Sequence, residues 1–356
     1  MNNYPQKKNV SLQQVLAVLL DESSVFPPAY LRYFSDLEGP DLEAVRSVWP
    51  QVKPGRRLAL LEDLEELAEA DTLVSFDNFA RVTLEDPDPR VRTVAIRLLW
   101  ENNDPRLAST FINMLENDPD PGVRAAAANA LGQFIYLGEI EEIPADVLHR
   151  VEESLLKVMA GAEDELTRRR ALESLGFSSR PEVPDLIRAA YDSNDADWMS
   201  SALYAMGRSA DNAWAPEVMR MLRHPKANVQ LEAVRAAGSL ELDRSRRILL
   251  DLLEEEAQDS ELRAAVFWSL SQIGGEEVRE TLETILEETE DDEEAEILEE
   301  ALDNLSFTED VDLFGLFDFA NAGQSITDPE DLDRGLEEDG SENPDDGNDA
   351  SGHRRK

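Results

Sequence analysis

An all-α solenoid of stacked helix pairs is the fold class this sequence predicts, and three observations predict it. The segments DPDPRVRTVAIRLLW at 86–100 and DPDPGVRAAAANALG at 118–132 nearly repeat at an offset of 32 residues. The apolar residue near the end of that pattern recurs at Leu99, Leu131, Leu175, Met206, Ala237, Leu270 and Leu305, in steps of 32, 44, 31, 31, 33 and 35 residues. Between successive frames lies a second amphipathic segment, such as Leu107/Phe111/Met114/Leu115 or Val278/Leu282/Ile285/Leu286. Neither helix of such a pair can bury its apolar face alone, so the units must stack.

The elements follow in chain order. Ser11 with Gln14 three residues on reads as a capping box that opens a helix ending before Asp21. The apolar run there covers only residues 15–20 and leads into Asp21 and Glu22 rather than a small-residue cleavage site. A span needs about 20 apolar residues, so this pattern predicts a cytoplasmic chain with neither export signal nor membrane segment. Residues 1–40 are read as a helical cap and 41–70 as a degenerate first unit.

From there the frame takes over. Counting the first core position as 0, the core places fall at 0, +4 and +8, one face of a 3.6-residue helix. Position 0 holds Val91, Val123, Thr167, Trp198, Val229, Leu262 and Ile297; position +4 holds Ala95, Ala127, Ala171, Ala202, Ala233, Val266 and Ala301. The +5 row is also apolar, from Ile96 to Leu302, which suits packing between neighbouring units. Asp-Pro ahead of a frame supplies a turn and then a helix start. Gly132, Gly176, Gly207 and Gly238 follow the anchor, where helices commonly end. The single 44-residue step is assigned to an insertion around residues 137–148, broken at Pro144.

The second helix of each unit resembles the HEAT repeat family, whose pattern is D-P-x-V-R-x-x-A-x-x-A-L-G. Asp118, Pro119, Val123, Arg124, Ala127, Ala130, Leu131 and Gly132 carry the match. The resemblance implies a right-handed α-solenoid of about seven to eight repeats over 41–308, with the second helices lining a concave face. It implies no single activity, because such solenoids host unrelated functions.

Charge narrows the function. The 356 residues hold 34 Lys and Arg against 77 Asp and Glu, a net charge of −43. The imbalance is uneven: residues 251–356 hold 6 basic against 36 acidic side chains, whereas 166–250 hold 13 against 11. A direct nucleic-acid binder needs basic patches to displace counterions, and this balance is the opposite. With no cysteine, thiol catalysis and cysteine-ligated metal sites are excluded. The three histidines, His149, His224 and His353, have no metal-ligand spacing. Neither phosphate-binding loops nor a nucleophile elbow is present. The sequence therefore predicts a chain without catalytic residues, metal or cofactor.

The remaining candidate site is the groove face. Positions +2, +6 and +9 oppose the core, and the +6 row reads Arg97, Asn129, Glu173, Tyr204, Arg235, Trp268 and Asp303. Arg97, Trp100, Arg169, Tyr204, Leu231, Arg235 and Trp268 are the expected partner-binding residues, since exposed Tyr, Trp and Arg dominate protein interfaces. Arg180 and Arg208 are expected as neighbours on the solenoid edge, and Trp214 as a packing residue. Residues 309–356 read as an acidic, mostly disordered tail carrying an island at 311–319 with Phe314, Phe317 and Phe319. That island either caps the last unit or complements a groove of arginines and aromatics. The expected function is a protein-interaction scaffold for a protein or peptide partner. The alternatives are a lyase-type or enzyme accessory subunit, and an acidic chaperone for a basic partner.

Overall fold

The computed structural model describes residues 10–21, 23–254 and 259–322, with side chains described through 307. Within these the backbone forms 17 α-helices and no strand. Two compact units divide the chain, residues 1–305 and 306–356. The described part of the second unit is helical backbone through Ala322. The side chains of Phe314, Phe317 and Phe319, and everything from 323 onward, lie outside the described residues.

The first unit opens with α1 (Leu12–Leu20), where the Ser11–Gln14 capping box forms in both directions. It continues with α2 (Gly39–Val48) and α3 (Pro54–Ala70), the degenerate first pair. Seven further pairs follow. They are α4 (Asp77–Thr83) with α5 (Pro89–Arg97), α6 (Pro105–Asn117) with α7 (Pro121–Glu139), and α8 (Ala145–Ala160) with α9 (Glu165–Leu175). Then come α10 (Val183–Tyr191) with α11 (Ala196–Arg208), α12 (Ala215–Met221) with α13 (Ala227–Ser239), and α14 (Arg246–Leu253) with α15 (Ser260–Ile273). The last pair is α16 (Glu276–Glu288) with α17 (Asp292–Ala322). From α3 to α15 each odd-numbered helix packs on the next odd one, with the even helices behind them. One continuous core runs through the stack, and all seven anchors from Leu99 to Leu305 are buried in it.

Helix starts depend on aspartate more than on the Asp-Pro pair. Asp88 and Asp120 accept backbone N–H groups at the N-termini of α5 and α7, with Pro89 and Pro121 in the first turn. Asp164, Asp195 and Asp259 cap α9, α11 and α15 in the same way without a proline. The earlier aspartate of each doubled pair joins repeats instead. Asp118 receives Arg92 Nη2 at 2.7 Å and Nε at 2.8 Å. Asp86, buried, receives Arg57 Nη1 at 2.7 Å and Trp49 Nε1 at 2.8 Å.

One expectation is corrected in part. Three of the four glycines after the anchors are not helix stops: Gly132, Gly207 and Gly238 lie inside α7, α11 and α13, whereas Gly176 is the C-cap at which α9 ends, and none of the four has positive φ. They are close-approach points, because the +9 residue of one repeat meets the small +7 residue of the next. A Cβ on Gly176 would stand 2.7 Å from the Ala205 carbonyl oxygen, and one on Gly238 would stand 2.7 Å from Ser269 Cα. Position +9 is therefore an inter-repeat contact at these four repeats. The extra residues of the 44-residue step lengthen the two flanking helices and are broken at Pro144. The helix α7 simply continues past Gly132 to Glu139, and Pro144 sits at the N-cap of a long α8.

Candidate functional site

The odd helices present the +2, +3 and +6 positions on one side, and two adjoining cavities lie along it. The larger, about 1400 Å³, is bordered by Trp100, in the turn after α5, and by residues of α3, α5, α7, α9, α11 and α13, including Arg97, Arg169, Tyr204 and Arg235. The smaller, about 470 Å³, is bordered by Tyr204, Arg235 and Trp268, with Gly207, Ala236, Ala264 and Ala265 among its other residues. Tyr204, Glu232 and Arg235 border both. Six of the seven groove residues read from the sequence are thus brought to one surface. Leu231 borders neither cavity and packs, partly buried, against the core.

The electrostatics differ from a groove of free arginines. Arg97 makes a two-point pair with Glu65 at 2.6 Å for both bonds. Arg235 Nη1 donates to Glu232 at 2.7 Å and its Nη2 to Glu261 at 3.1 Å. Arg169 lies 3.9 Å from Asp197, and Arg170 pairs with the buried Glu173. Each guanidinium of the larger cavity already faces a carboxylate. Burial pushes the Glu232 carboxyl above the usual carboxylate range, with Arg235 opposing the shift, while its Oε2 accepts no hydrogen bond.

Arg208 was expected on the solenoid edge beside Arg180, and it is not available there. It folds inward so that its guanidinium carbon lies 4.3 Å from the Tyr204 ring and 4.6 Å from the Phe177 ring. It donates to the Tyr204 hydroxyl at 2.7 Å and to the Glu173 carbonyl at 3.1 Å. Arg180 instead pairs with Glu153 and Glu182 at 2.8 and 2.9 Å. The i, i+4 spacing of Tyr204 and Arg208 was the available sequence signal for this pairing. The +3 row, which supplies Arg170, Ser201 and Glu232 to the groove, was not read as part of it. Trp214 is buried beneath Arg188 and packs as expected.

Two tryptophans remain accessible on this surface. Trp100 is 60 % exposed beside the larger cavity and Trp268 is 42 % exposed beside the smaller. Among the described residues there is no group of three or more His, Asp or Glu side chains placed to hold a metal. No described helix is long and apolar enough to cross a membrane.

A family model described as HEAT repeats matches residues 78–151 and 215–303. No curated protein matches the chain. Among solved structures, the chain is similar to YibA of E. coli at 17 % identity, covering 80 % of this chain and 98 % of that one, with a TM-score of 0.41. It is similar to the CpcE–CpcF complex of phycocyanin lyase from Nostoc sp. at 20 % identity, covering 64 % and 94 %, with a TM-score of 0.43. Human deoxyhypusine hydroxylase is matched at 16 % identity over 83 % and 96 %, with a TM-score of 0.35. The repeat frame, the stacked helix pairs and the two matched stretches agree: residues 78–151 and 215–303 of this chain are HEAT repeats.

Proposed function

We propose that the chain is a non-catalytic scaffold that seats a protein or peptide partner along the groove of its odd-numbered helices. The observation that supports this reading is the smaller cavity. Tyr204 and Trp268 border it together with Gly207, Ala236, Ala264 and Ala265, so aromatic walls stand over small residues, with Arg235 and Glu261 beside them. Interface energy concentrates in such aromatic and arginine sites within a surface that excludes water. The paired arginines hold their side chains in place before a partner arrives, which lowers the ordering cost of binding.

Capture of partners from a native extract by the full-length chain tests the reading. Trp100→Ala and Trp268→Ala are expected to lose the captured partner while leaving helical content unchanged by circular dichroism. Partner capture that survives both substitutions would sink the proposal.

A further inference from the structure

We infer that the segment seated in this groove is extended and cationic, with arginine or lysine side chains lying over the exposed rings of Trp100 and Trp268. The inference rests on the groove being the partner site and names the chemistry of what enters it.

Charge on the cavity walls points that way. Seven carboxylates and four guanidinium groups border the larger cavity. All four guanidiniums lie within 4 Å of a carboxylate, at Glu65, Asp197, Glu173 and Glu232. Glu69 and Glu101 border the same cavity and hold no ion pair among the described residues. An acidic ligand finds no unpaired cation on these walls, whereas a cationic one finds unmatched carboxylates. Like-charge juxtaposition repels the first and steers the second.

The exposed aromatics add a second, independent preference. A tryptophan face carries a negative quadrupole and attracts guanidinium or ammonium groups more strongly than other rings do. Trp100 follows the first anchor and Trp268 lies in the sixth frame, so the two stand near opposite ends of the groove. With neighbouring helices about 8–10 Å apart, the two rings lie roughly 40–50 Å apart along the stack. An extended chain rising about 3.3 Å per residue covers that in about 12–15 residues.

The test uses the full-length chain and labelled 15-residue peptides of Arg/Gly, Glu/Gly and Leu/Gly composition, followed by fluorescence anisotropy at two salt concentrations. The Arg/Gly peptide is expected to bind, and to weaken as salt rises. Trp100→Ala and Trp268→Ala are each expected to weaken it about 3- to 10-fold. The exposed pair Glu69→Gln/Glu101→Gln, which disturbs no packing, is expected to weaken it several-fold and flatten its salt dependence. Arg/Gly binding indifferent to all four substitutions would place the attraction elsewhere on this acidic chain and overturn the inference. Tighter binding of the Leu/Gly or Glu/Gly peptide, lost in Trp268→Ala, would overturn the cationic assignment and leave the groove reading standing. Partner capture from extract that survives Trp100→Ala and Trp268→Ala is the separate failure of that reading.

Discussion

Arg208 lies over the ring of Tyr204, 4.3 Å from its centroid, and donates to the same residue's hydroxyl at 2.7 Å. It also reaches back to the Glu173 carbonyl and comes close to Gly132, so one side chain knits α7, α9 and α11. Burial pushes the guanidinium below its ordinary pKa, opposed by Tyr204 and Glu173, but an arginine stays charged. The cation beneath the groove therefore belongs to the structure that holds Tyr204 in position.

Removing it is expected to cost stability before it costs binding. Arg208→Met should lower unfolding free energy by about 2–4 kcal/mol, the sum of a desolvated cation–π contact and charged hydrogen bonds. Tyr204→Phe keeps the ring and should cost about 1 kcal/mol. Urea unfolding of both singles and the double variant measures the coupling, which is expected to be non-zero because the residues touch.

Gly176 and Gly55 should respond oppositely to alanine. A Cβ at Gly176 meets the α11 backbone at 2.7–2.8 Å, so α9 and α11 must separate, at about 1–3 kcal/mol. At Gly55, within α3, a Cβ meets nothing within 4 Å, and alanine should stabilise by up to about 1 kcal/mol through helix propensity. Thermal melts of the two variants check the contrast.

The buried pair at the start of the stack gives a larger effect. Asp86 receives Arg57, the Trp49 indole and the Asp88 backbone N–H. Asp86→Ala strands a buried guanidinium and is expected to cost about 3–5 kcal/mol. The doubly apolar Arg57→Met/Asp86→Ala variant should recover part of that loss. Urea midpoints of the single and double variants decide it.

Two carboxylates give opposite pH limbs. Asp104 is held down to about 2, chiefly by its side-chain bonds with Arg106, with Arg81 adding to the effect. Its contribution is present above the unfolded value near 3.9 and is lost as pH falls through about 2. Glu232 is raised by burial, so its contribution is greatest below the unfolded value near 4.3 and declines as pH rises through its folded value. Asp104→Asn should flatten the acid limb of stability between pH 4 and 2, and Glu232→Gln the decline above pH 4.3. Unfolding midpoints measured from pH 2 to 7 check both signs.

Periodicity alone determined the repeat frame, because a buried face must recur every three to four residues whatever packs on it. The anchors, the +4 row of alanines and the +5 row were legible for that reason, and so were Trp100, Tyr204, Arg235 and Trp268 as residues of one surface. What a position faces after stacking was decided only by tertiary structure. Glycine at +9 follows the anchor in sequence like a helix stop, yet it serves the approach of the next repeat, whose Ala205 or Ser269 is about 30 residues away. The groove's charge was misread for the same reason. The groove arginines of 166–250 pair with Glu173, Asp197, Glu232 and Glu261, carboxylates brought to them by neighbouring turns and by the next repeat. Net charge adds along a chain, whereas a surface potential depends on which side chains folding places within a few ångströms of one another.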